Sequence, residues 1–283
     1  MRKKNIQYLP FLRASLAALQ RITRHPKAFV PDILFILFTI TAGSAFLATN
    51  NLFAPLFHPG PLNAFRSQIQ YIISHFPSLL QFLISLCVTI TLNVLFGVKL
   101  FATRYYYLEQ ISLNKTVTLW QAYRKSGRYF TGIVLIKLAF MLAYFLITFS
   151  YFSLQSTPTL SLYAFFVFSL LLFVIFKIIF FFAVQNLYSG HSGLRVLAST
   201  IHHFTQFPKQ TLIALALVTL AEFIVTLFIG FLPTAWARFA LASNLFSMTT
   251  LILSAFFIIR TFFSTTLTLW QELFKFLIYK QHS

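Results

Sequence analysis

The sequence predicts an all-α polytopic membrane protein, with six transmembrane helices as three tandem hairpin repeats, each preceded by a cytoplasmic amphipathic helix. Three observations predict it. The 283 residues are 58% hydrophobic and 9% charged, with a mean hydropathy of +0.80, whereas a soluble domain carries about 25% charged residues. Six apolar runs, at roughly 29–50, 78–103, 129–153, 160–187, 210–232 and 241–264, reach the roughly 20 residues that a spanning helix needs. Basic residues gather at alternate connections between those runs. No long polar stretch remains to build a soluble unit, so residues 1–283 read as a single integral membrane domain.

The first span opens with Pro31, where a missing N–H costs nothing, and with Asp32, whose carboxylate meets the positive end of the helix dipole. Pro55, Pro59, Gly60 and Pro61 break the chain after it. The run from about Leu62 to Phe76 is amphipathic and suited to lying flat on a bilayer. The second span carries Gln81, Ser85, Thr89 and Asn93 at helical spacing, and the sixth carries Ser243, Ser247, Thr250 and Ser254. Such stripes commonly hold membrane helices together. Trp120, Trp236 and Trp270 fall close to predicted interfaces, where amphipathic rings anchor depth.

Orientation follows from Lys and Arg. The N-terminal segment, the second-to-third and fourth-to-fifth connections and the C-terminal tail hold sixteen of them, against Arg66 and Arg238 on the opposite side. The rich side belongs in the cytoplasm, so both termini are expected there, in a cell (inner or plasma) membrane. Lys99, Lys137, Lys177 and Arg260 lie inside apolar runs near their cytoplasmic ends, positions from which long side chains snorkel to the interface. The net charge of +18 therefore reads as a topology signal and as contact with anionic lipid headgroups; nucleic acid is not an expected partner. The basic Arg2, Lys3 and Lys4 resemble the start of a signal peptide, but Arg13 and Arg21 interrupt the apolar region that one requires.

Three segments align on a helix breaker followed by a base: Pro26-Lys27, Gly127-Arg128 and Pro208-Lys209. Apolar residues recur before each breaker, with Leu19, Trp120 and Ile201 at seven residues and Ile22, Tyr123 and Phe204 at four. Those offsets share one face of a helix. The expected repeats are 1–112, 113–190 and 191–283, and the Thr268–Gln271 echo of Thr118–Gln121 suggests a final interfacial helix in the tail.

Glu222 is the only acid deep in a span, with Thr219 and Thr226 beside it and Thr211 about three turns below. A carboxylate in hydrocarbon faces protein or water, and Lys137 or Lys177 are its expected partners. Glu222, Lys137, Lys177, Thr219 and Thr226 thus form a candidate intramembrane polar site. Arg124, Lys125, Arg128, Arg21, Arg24 and Lys27 form a candidate surface for headgroups or a partner protein. Neither the seven histidines nor Cys87 stands in a metal-binding spacing, and His202 and His203 are expected to be solvated. No nucleotide-binding loop or nucleophile elbow is present, so no cofactor, metal or catalytic set is expected.

His25-Pro-Lys-Ala-Phe-Val-Pro-Asp32 leading into one span, and Trp120-Gln-Ala-Tyr-Arg-Lys-Ser-Gly-Arg-Tyr-Phe130 leading into another, resemble six-span prokaryotic proteins related to the membrane domain of glycerophosphodiester phosphodiesterases. The likeness covers most of the chain in layout. It implies the six-span fold but no activity, because catalysis in the phosphodiesterases belongs to a separate soluble domain. The expected function is therefore a non-enzymatic multi-pass inner-membrane protein that binds lipid or a membrane-protein partner through its basic helices. The alternative is a small-solute transporter or permease built on Glu222 and the intramembrane lysines.

Overall fold

The computed structural model describes residues 9–52, 61–139, 142, 167, 171, 174–175, 177–178, 180–191, 194–242 and 246–282. Every regular element among them is helical. In chain order they are α1 (Leu9–Arg24), α2 (Val30–Thr49), α3 (Pro61–Ser74), α4 (Phe76–Ser112), α5 (Leu119–Lys125), α6 (130–139), α7 (Ala183–Tyr188), α8 (Leu194–Gln206), α9 (Pro208–Ala242) and α10 (Phe246–His282). Among the described residues, three helices are long and apolar enough to cross a membrane: Pro26–Thr49, Phe76–Ser112 and Pro208–Leu227.

The helix breaks fall where the breakers stand. A 3-10 turn at Pro26–Phe29 separates α1 from α2, a second at Ser126–Tyr129 separates α5 from α6, and a bend at Phe207 separates α8 from α9. Proline opens α9 and lies in the first turn of α2 and of α4, where its lost N–H would have had no helical acceptor. The start of α5 has a full capping box: the Thr118 hydroxyl accepts from the Gln121 N–H at 3.2 Å, and the Thr118 N–H donates to Oε1 of Gln121 at 3.2 Å.

The Thr268–Gln271 echo does not mark a separate tail helix. α10 runs unbroken from Phe246 to His282. The Thr268 hydroxyl donates back to the Ser264 carbonyl at 2.8 Å instead of capping a new start. A threonine caps only where the preceding backbone leaves helical geometry, and here nothing interrupts it.

The molecule has two tiers. At the basic end, α1, the last turns of α4, the Ser126–Tyr129 turn, α7, α8 and the C-terminal half of α10 enclose a packed core. Ala18, Leu108, Phe182, Leu269, Leu273 and Phe274 are each at most 1% exposed. α1 turns Phe11, Ala14, Ala18 and Ile22 inward, the i, i+3, i+7, i+11 face of a helix. The Trp270 indole N–H donates to the Ser15 carbonyl at 3.2 Å and fixes the tail against α1. Beyond that core the apolar residues point outward: Leu80, Leu83, Ile84, Val88, Ile90 and Leu92 on α4 are all about half exposed. In water each would forgo part of the roughly 1.5–3 kcal/mol that full burial yields; against lipid tails they forgo nothing, which explains why the first half of α4 leaves so much apolar surface outside.

α2 lies along α4 and is tied to it by the polar stripe of the second predicted span. The Thr39 hydroxyl donates to Asn93 at 3.1 Å, Asn50 donates to the Ser85 hydroxyl at 2.9 Å, and Gln81 donates to the Thr49 carbonyl at 2.8 Å. Gly97 lets the Phe35 ring approach, since a Cβ there would lie 2.6 Å from it. The stripe of the sixth predicted span lies outside the residues whose side chains are described.

Candidate functional sites at the basic end and within the spans

The candidate intramembrane site separates into two places. Lys177 and Glu222 meet at 2.7 Å, joining the fourth predicted span to α9, with side chains 26% and 38% exposed. Lys137 is not part of that pair; its amine lies 3.3 Å from the centre of the Phe101 ring on α4. Thr219 and Thr226 are exposed, whereas Thr211 is 1% exposed. Only Lys177 and Glu222 of the five predicted residues are therefore brought into contact.

The tightest ion pair joins Asp32 in the first turn of α2 to Arg104 on α4, at 2.6 Å, with side chains 10% and 4% exposed. Arg104 also stacks over Phe101, 4.7 Å from the ring centre. The contact is single-pronged: Oδ2 of Asp32 and Nε of Arg104 find no partner among the described residues. Asp32 stands at the helix start that the sequence predicts, but Arg104, which falls one residue past the predicted second span of 78–103 and so among the bases of the second-to-third connection, lies inside α4. α4 carries Arg104 as a buried helical residue because the helix continues to Ser112 and the core closes over it.

Nearby, Asn186 is fully buried and saturated. Its amide donates to the Phe182 carbonyl at 3.2 Å and to Thr200 at 2.9 Å, and its carbonyl accepts from Ser199 at 2.8 Å and Tyr279 at 2.7 Å. Gln185 reaches Glu272 at 3.4 Å, and Glu272 accepts from Lys275 at 2.9 Å. The expectation for the histidine pair is half corrected. His202 is exposed, but His203 is 7% exposed, packed edge-on against Phe182 and tilted against Tyr279. Neighbours in sequence point about 100° apart on a helix, so one meets the core while the other does not.

The predicted headgroup surface also divides. Arg21 donates to the carbonyls of Ile111 and Ser112 at 3.0 and 3.1 Å, closing the end of α4, where cations suit the helix dipole. Lys280 adds a bond to the Ser112 hydroxyl at 2.7 Å. Burial pushes the Lys280 amine below its ordinary value, and Glu109 opposes that shift. Arg24, Lys27, Arg124, Lys125 and Arg128 remain exposed, Arg128 lying over the Tyr129 ring.

The breaker-aligned positions divide between two sides: Ile22, four residues before Pro26, is buried in the core, whereas the residues seven before each breaker face out. Leu19, Trp120 and Ile201, each seven residues before its breaker, are 43%, 70% and 47% exposed. Leu12 and Leu16 extend that exposed stripe on α1. The core side carries Phe11, Ala14, Ala18 and Ile22 on α1, Ala122 on α5, and Val196, Thr200 and His203 on α8. Trp120 shares a shallow apolar groove with Pro31, Leu34, Phe96 and Leu100, between the start of α2 and the middle of α4.

Fold and site together define an all-helical membrane protein with a packed basic end. Comparison with family models, curated proteins and solved structures gives no match.

Proposed function

We propose that this is a six-span, non-enzymatic inner-membrane protein whose basic end lies in the cytoplasm and binds anionic lipid through its three leading helices. The carrying observation is the large apolar side chains that α1, α5 and α8 leave on their outward faces. Leu12, Leu16 and Leu19 on α1, Trp120 on α5 and Ile201 on α8 all face away from the core. Such a helix loses free energy in water and gains it at a bilayer interface. The exposed Arg24, Lys27, Arg124, Lys125 and Arg128 stand on or next to those same helices. The cytoplasmic placement is supported by the packing of all four base-rich segments into one core. The three coincident helix breaks support the tandem repeats.

The test is native mass spectrometry of the full chain in nanodiscs containing phosphatidylglycerol. Each Lys or Arg near an anionic surface contributes about 1 kcal/mol, so replacing Arg124, Lys125 and Arg128 together by glutamine should weaken anionic-lipid retention by about a hundredfold. Unchanged retention would remove the headgroup surface. The transporter alternative rests on the Lys177–Glu222 pair. As a structural link between helices, the pair should leave solute flux indifferent to Glu222→Gln in proteoliposomes. A loss of coupled flux in that variant would favour the transporter.

A further inference from the structure

A groove of about 590 Å³ runs between α2, α4 and α10 at the edge of the core. Its size suits a small-ligand site. One wall is a ladder on α10, where Thr261, Ser264, Thr265 and Thr268 recur at i, i+3, i+4 and i+7 and therefore share one side of the helix. Arg260 stands at the end of that ladder and is exposed. The opposite wall holds the buried Asp32–Arg104 pair, and Nε of Arg104 has no partner among the described residues. Phe35, Ile36 and Phe101 complete the lining with apolar surface.

Charge and depth select the occupant. Two cations, Arg104 and Arg260, line the groove against a single carboxylate that Arg104 already holds, so Arg260 is in excess; Lys137 lies over the ring of the lining Phe101 without itself lining the groove. An excess of positive charge beside a row of hydroxyl donors suits an anion rich in acceptor oxygens, and guanidinium matches phosphate oxygens in geometry. The stacking of Phe29 on Phe262, with ring centres 6.0 Å apart, puts this stretch of α10 level with the start of α2, where the chain enters its first predicted span. Phe35 and Ile36 lie farther along α2, toward the bilayer interior. The groove is thus polar at headgroup level and apolar below it, the profile of an amphiphile.

We infer that this groove seats one anionic phospholipid, its phosphate against Arg260 and the hydroxyls of Ser264 and Thr265, and an acyl chain along Phe35 and Ile36. The inference rests on the membrane reading above, but it uses none of the residues of the leading helices. Snorkelling alone would leave Arg260 interchangeable with any long cation; seated on a phosphate, it acts with its hydroxyl neighbours.

The experiment is native mass spectrometry of the full chain from phosphatidylcholine nanodiscs doped with phosphatidylglycerol, with and without excess inorganic phosphate. The expected result is one phosphatidylglycerol in the wild type that outlasts, as collision energy rises, the lipids held at the headgroup surface. Arg260→Gln should lower its retention at least about tenfold, and Ser264→Ala combined with Thr265→Val should lower it while the helical circular dichroism is unchanged. The Arg124, Lys125 and Arg128 triple variant should keep this one lipid, so failure of the headgroup surface and failure of the groove are told apart. Retention at wild-type level in both the Arg260 and the hydroxyl variants overturns the site. Displacement of the lipid by inorganic phosphate overturns its assignment to phospholipid and makes it a free-anion site.

Discussion

Asp32→Ala is expected to lower stability by about 3–5 kcal/mol, the usual result of leaving one member of a buried ion pair without its partner. Arg104 is 4% exposed and has Asp32 as its salt-bridge partner at 2.6 Å. Removing the carboxylate leaves a guanidinium that is 4% exposed and stacked over Phe101 without its salt-bridge partner. The second half of the expectation concerns the double variant. Asp32→Ala with Arg104→Met removes the orphaned charge as well as its cause and should recover a large part of the loss, since apolar replacement of a buried pair is often close to neutral. Thermal unfolding of the detergent-solubilised protein, followed by circular dichroism, measures both. A single variant that melts with the wild type would mean that Arg104 reaches solvent or another anion.

Asn186→Ala should cost about 3 kcal/mol, because it strips the shared partner from several buried groups at once. The Asn186 side chain binds Ser199, Thr200, Tyr279 and the Phe182 carbonyl, and the residue is 0% exposed. A buried group left unsatisfied costs about 1–3 kcal/mol, and a network is not the sum of its pairs. Tyr279→Phe removes one bond and leaves the other three, so about 1 kcal/mol is expected there. The same melting experiment ranks the two. Equal losses would place the energy in the Tyr279 ring packing against Phe182 and His203 instead of in the asparagine hub.

These two sites show where reading the chain residue by residue stops. Helix starts are local events, and they were legible: the breakers at Pro26, Gly127 and Pro208 each lie in or beside an observed break. The partner of Glu222 was narrowed to two lysines because hydrocarbon tolerates few unpaired charges. The choice of Lys177 over Lys137 depended on which helices lie side by side. Arg104 was misplaced for a different reason. Hydropathy ends a span where charge begins, but a helix ends only where its backbone bonding ends, and α4 continues to Ser112 inside a protein core that no local signal announces.

The amphipathic helices make the same point in reverse. Periodicity located an apolar face on α1, α5 and α8 but not its destination. Leu19, Trp120 and Ile201 turn out, while Phe11 and Ile22 turn into the core beside Ala14 and Ala18. Close approach of backbones favours small residues at helix contacts, and a bilayer accepts large ones outside. The same division of faces separates Arg21, which is used on the carbonyls of α4, from Arg24 and Lys27, which are not buried.

By itself the sequence determined the helical class, the membrane as solvent and the points where helices break, because each follows from composition and from interactions within a few residues along the chain. Tertiary structure alone decided that the basic segments join in one core, that Asp32 and Arg104 pair across 72 positions, and that Arg260 shares a groove with them. Those outcomes depend on how helices lie against one another, and the packing that sets this is spread over many contacts, none of which leaves a signature in any one stretch of chain.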